Sequence, residues 1–206
     1  AVFPARDSRL LFLPMAGLFL MGLSGVLDLI AGLGLTETLL QGVVSAADPS
    51  GMTSVVAISS SDGYSPQAHL ILGVLDLVSA AGLFFAVRAC GIKQRHNRLR
   101  FNGTWLLAPV LAMAVRLVLA YRVDSVNPAL EAYYVELLAL VFLNLAFYRF
   151  SSFSFGSGQT RRFALYTCCA VVLCMPAFCD SCSISARFLE IGGGLCVLGF
   201  LLLHLT

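Results

Sequence analysis

Charge is scarce in this chain. Only 12% of its 206 residues are Asp, Glu, Lys or Arg, about half the share of an ordinary soluble domain. A surface solvated all round is therefore excluded. The basic residues form no module interleaved with aromatic side chains, so nucleic acid is not an expected partner. Catalytic signatures are missing as well. There is no HExxH, no GxSxG and no Gly-Asp pair within an apolar run, which leaves no catalytic residues to name and argues against an enzyme. Phe155-Gly156-Ser157-Gly158 lacks the Gly-Lys-Ser/Thr ending of a phosphate loop, and no cofactor is implied.

Apolar residues fill the space that charge leaves. They make up 59% of the chain, and the mean hydropathy is +0.89. Both values put it in the membrane class, with the lipid bilayer as its first partner. Runs long enough to span lipid, about 20 residues, recur six times. They cover residues 10–35, 68–89, 105–121, 129–148, 163–179 and 184–203. None alternates with period two, so helices rather than barrel strands are expected. The predicted fold is all-α: a polytopic six-transmembrane-helix bundle forming one domain.

Lys and Arg set the expected orientation. With the N-terminus cytoplasmic, Arg6, Arg9, Arg88, Lys93, Arg95, Arg98, Arg100, Arg149, Arg161 and Arg162 fall inside, whereas Arg116, Arg122 and Arg187 fall outside. That asymmetry satisfies the positive-inside rule and returns the C-terminus to the cytoplasm of a plasma membrane. The apolar core of the first run is longer than the h-region of a signal peptide, which argues for a retained span. Residues 36–67 form the longest outer connection and contain no Lys or Arg. Thr36 to Ala47 suits a short interfacial helix; the rest reads as loop, either a tolerated insertion or a lid. Pro109 and Pro176 are expected to kink the third and fifth spans.

The few charges inside the runs are not scattered. The pentapeptide GVLDL occurs at 25–29 and again at 73–77, and seven of eleven positions match between 25–35 and 73–83. Each copy carries an aspartate, Asp28 or Asp76. Arg116, Glu136 and Glu190 fall in the same outer half of their spans. Each such group costs about 2.5–3.5 kcal/mol at the centre of a span, so all five should turn inward, toward one another and water. Gly17, Met21, Ser24, Gly25, Asp28 and Gly32 share one helix face, and His69, Gly73, Asp76 and Ala80 share another; these are predicted packing seams. Arg187 and Glu190, three residues apart, are predicted to pair. Arg116 takes one further acid, which leaves two carboxylates for protons, water or a cationic ligand. The candidate ligand-binding set is Asp28, Asp76, Glu136 and Arg116. The competing reading of the same groups is a polar lock that fixes helix register.

Seven cysteines are present, and Cys179 and Cys182 form a CxxC at the outer end of the fifth span. In an oxidising exterior they could act as a redox pair, although the long outer loop supplies no second pair to relay electrons. His69 is the only outer histidine near them, so no metal site is expected.

The stretch YRVDSVNPALEAYYVELLALVFLNLAFYRFSSFSFGSGQTRR, Tyr121 to Arg162, resembles small six-span bacterial membrane proteins of unassigned function. Six spans, cytoplasmic ends and an outward polar pocket under a long loop are similar to the substrate-capture subunits of energy-coupling-factor vitamin transporters. That likeness implies solute capture from outside and a partner subunit at the cytoplasmic side. Those subunits dock through an AxxxA-type motif; here Ala16, Gly17 and Gly22 stand instead. The expected function is binding of a small polar or cationic solute, alone or within a transporter. A non-transporting interaction or assembly protein is the alternative, and a thiol oxidoreductase a distant third.

Overall fold

The computed structural model describes residues 11–34, 65–91, 103–124, 130–156, 158–180 and 184–205. The expected interfacial helix, Thr36 to Ala47, lies outside these residues, as does all of the 36–67 connection read as a lid except 65–67. So do most of the basic run 88–100 and Cys182.

Six long helices account for nearly everything described: α1 Phe12–Gly32, α2 Pro66–Gly91, α3 Leu107–Asp124, α4 Leu130–Ser154, α5 Thr160–Asp180 and α6 Ile184–Leu205. A 3-10 turn, Gly103–Leu106, leads into α3. Among the described residues there is no strand. Each helix packs on its neighbours in sequence, and α6 packs on α1, so the six close into a ring. Among the described residues, five of them are long and apolar enough to cross a membrane, counting the 3-10 turn with α3. α5 is not among the five; Arg161 and Arg162 occupy its first turn. Phe12, Phe19, Leu111, Val118, Val172 and Met175 point outward, each more than half exposed on the flanks of the ring. Such an apolar flank suits lipid and marks a membrane-embedded protein.

Two differences from the sequence expectation have local causes. Pro109 does not interrupt a helix interior. It falls in the first turn of α3, where its missing N–H would have had no partner anyway. α4 runs on past Tyr148 to Ser154 because its polar tail satisfies itself. The Ser151 and Ser152 hydroxyls donate to the carbonyls of Tyr148 and Arg149 at 2.8 and 2.6 Å. The helix then stops at Gly156, whose φ of +77° suits a residue without a Cβ.

Glycine sets the closest approaches. A Cβ on Gly17 would lie 2.5 Å from the Gly192 carbonyl oxygen and from the Cys196 nitrogen; one on Gly73 would lie 2.8 Å from the Gly25 oxygen. The backbones of α1 and α6, and of α1 and α2, therefore nearly touch, as the predicted seams require.

The two ends of the ring differ in chemistry. Where α4 finishes and α5 begins, Phe150 stacks on Phe200 at 4.1 Å, and Phe163 meets both Phe150 and Phe153. We call this the aromatic end. The opposite end, where α1 finishes and α2 begins, holds the buried acids.

Candidate functional site

Antiparallel pairing of α1 and α2 brings the GVLDL copies together. Gly25 lies against Gly73 and Asp76, and Gly32 lies against Pro66 and Leu70. The two aspartates consequently sit about one turn apart across a single seam. Each is almost wholly buried, Asp28 1% and Asp76 0% exposed.

Arg116 reaches them from α3. One guanidinium nitrogen, Nη1, donates to Asp28 Oδ2 at 3.1 Å and to Asp76 Oδ2 at 3.0 Å. The other, Nη2, donates to the Ser185 hydroxyl at 3.3 Å. The Ser185 carbonyl accepts from Ser24 Oγ at 2.7 Å. His69 Nδ1 stands 3.4 Å from Asp28 Oδ1, an ion pair whenever the imidazole is protonated. One arginine thus joins α1, α2, α3 and α6. Two carboxylates this close repel each other, and the guanidinium between them offsets that repulsion. Ser79 takes no part; its hydroxyl donates to the Asp76 carbonyl one turn back at 2.8 Å.

Three of the four candidate ligand-binding residues, Asp28, Asp76 and Arg116, meet in this bridge. Glu136 is placed differently. It is part-exposed on α4, and its charge acts on Glu190 of α6. No hydrogen bond completes the Arg187–Glu190 pair expected from spacing; Arg187 acts on Glu190 through its charge alone. Glu190 is 1% exposed, and neither of its carboxyl oxygens has a hydrogen-bond partner among the described residues. Three-residue spacing places two side chains on one helix face, but Glu190 turns into the bundle while Arg187 stays half-buried nearer the helix start.

The sequence reading missed Ser185 and the His69–Asp28 contact. His69 shared a predicted face with Asp76 and was weighed only as a zinc ligand; Ser185 gave no signal beyond its place in the first turn of α6. The CxxC lies outside the description, because of Cys179 only the backbone, within α5, is described. Cys168, Cys169, Cys174 and Cys196 are free thiols. Among the described residues no three His, Cys, Asp or Glu side chains converge for a metal ion.

The cluster can hold positive charge and fix helix register. Its deep acids, Asp28, Asp76, Glu136 and Glu190, outnumber Arg116 and Arg187 two to one. No known protein family, curated protein or solved structure matches this chain.

Proposed function

We propose that this is a six-span plasma-membrane protein with cytoplasmic termini that binds a small cationic solute from outside, alone or as the capture part of a transporter. The observation that carries this reading is the excess of buried acid over base at one end of an otherwise apolar bundle. A buried carboxylate without a counter-charge is costly, and a cation arriving from the exterior would relieve it. The aromatic packing at the other end supports access from one side only. The exposed Leu165, Val172 and Met175 of α5 support a sixth span, and the architectural likeness to substrate-capture subunits belongs to the same proposal. A partner subunit would then meet the cytoplasmic face.

Thermal melting of the purified protein against a panel of amines, quaternary ammonium ions and inorganic cations tests it, with Asp28→Asn and Asp76→Asn beside wild type. A ligand that binds only the folded state raises Tm by mass action. A solute that raises the wild-type Tm is the expected result, and the two variants report whether the aspartates themselves receive it. Melting that no solute moves would leave the second reading, an assembly protein whose charges only lock the helices. That reading draws on the Arg116 contacts to both aspartates.

A further inference from the structure

The Asp28–Arg116–Asp76 bridge accounts for only part of the buried acid. Glu190 stands apart from it, one turn into α6 beyond Ser185, with both carboxyl oxygens buried and unpartnered among the described residues. The charged groups acting on it are Glu136 of α4, Arg116 of α3 and Arg187 of its own helix. Cys174 of α5 is the remaining titratable neighbour.

Two contacts fix the surroundings. A Cβ on Gly193 would lie 2.7 Å from Leu143 Cδ2, and Phe200 stacks on Phe150. Both pairs are offset by the same number of residues, so α4 and α6 run parallel in one register. In that register Glu136 lies about 6 Å nearer the polar end than Glu190, and Asn144 about 6 Å deeper. Asn144 Oδ1 is also buried without a hydrogen-bond partner among the described residues. On the α5 side, Cys174 Sγ is 3.8 Å from the Cβ position of Gly194, one turn deeper than Glu190 on the same face.

The unpartnered oxygens in this half of the ring, Glu190 Oε1 and Oε2 and Asn144 Oδ1, are all acceptors. Three N–H groups of Arg116 are engaged by Asp28, Asp76 and Ser185, and none of its hydrogen bonds reaches Glu190. A proton on Glu190 would remove its charge yet leave an O–H donor and a carbonyl unmatched. A cation bearing several N–H donors would satisfy charge and hydrogen bonding together.

We propose that Glu190 receives the ammonium group of a small primary amine, with part-exposed Glu136 one turn outward marking the approach. This rests on the solute-binding reading and moves the receptor for charge from the aspartate pair to Glu190. The aspartate pair, held by Arg116, then ties the helices.

The test compares methylammonium chloride with tetramethylammonium chloride, which carries the same charge but no N–H, on the full chain in detergent. Methylammonium at a hundredfold its Kd should raise the wild-type Tm by about 5 °C over the tetramethyl salt. E190Q, neutral and nearly isosteric, should lose that difference. E190D keeps the charge but withdraws it by one methylene, and should raise the half-saturating concentration roughly tenfold. If E190Q keeps the shift and D76N loses it, this inference falls while the solute-binding reading stands. If wild type shows no difference between the salts and E190Q melts at or above it, Glu190 is a buried neutral acid and the inference is overturned.

Discussion

At the scale of a single side chain, Arg116 carries three hydrogen bonds to three other helices. Removing it leaves two buried carboxylates facing each other. Arg116→Met should destabilise the protein by about 3–5 kcal/mol, as loss of one partner from a buried ion pair does. Neutralising the aspartates in the same protein, Arg116→Met with Asp28→Asn and Asp76→Asn, should recover most of that loss. Denaturation of these two variants, of wild type and of the Asp28→Asn, Asp76→Asn double variant in one detergent reads the coupling directly; purely additive effects would mean that the bridge does not act as a unit. Ser24→Ala withdraws the donor from the buried Ser185 carbonyl and should cost about 1 kcal/mol, seen as a modest fall in Tm. The sequence marked Asp28, Asp76 and Arg116 because a charge in an apolar run is conspicuous. It could not mark Ser185, a residue equally at home in any helix first turn. Nor could it reveal that Glu190 lacks a hydrogen-bond partner among the described residues, since that depends on which way α6 is rotated.

The helices themselves meet through small residues. Lipid tails are as apolar as leucine, so helices in a membrane associate by close packing rather than by escape from water. Gly17 and Gly22 test this within one helix. A Cβ at Gly17 would overlap backbone atoms of α6, whereas one at Gly22 would meet only the Ala80 methyl at 3.9 Å. Gly17→Ala should cost about 1–3 kcal/mol by overpacking. Gly22→Ala should be neutral or slightly stabilising, because alanine is the better helix former. Equal Tm values for the two variants would contradict the packing described. The seams were legible from three- and four-residue spacing of glycines. Helix ends were less so: the serines that extend α4 look like a loop in sequence, and only their bonds to the preceding turn show them to be helical.

For the molecule as a whole, the number of crossings decides where the C-terminus lies. Five helices meet the length and apolarity of a span, and five crossings would put the two termini on opposite sides. If α5 also crosses, both lie on one side. An epitope tag after Thr206 should be protected in intact cells and exposed only after permeabilisation, matching a tag at the N-terminus. A C-terminal tag accessible from outside, with the N-terminal tag protected, would mean that α5 does not cross.

Membrane residence, helical class and the positions of the buried charges were determined by the sequence alone. Each follows from local rules: a long apolar run must satisfy its own backbone bonds in lipid, and an acid within it must find company. Which company it finds was decided only by the tertiary structure. Closing the ring brings α6 beside α1, so that Ser185 meets Ser24 and Arg116 although they are far apart in the chain. The same closure commits Arg116 to the aspartates and leaves Glu190 among acceptors. Pairing between helices depends on rotation and register, which are set by glycine contacts summed over the whole bundle rather than by any one stretch of residues.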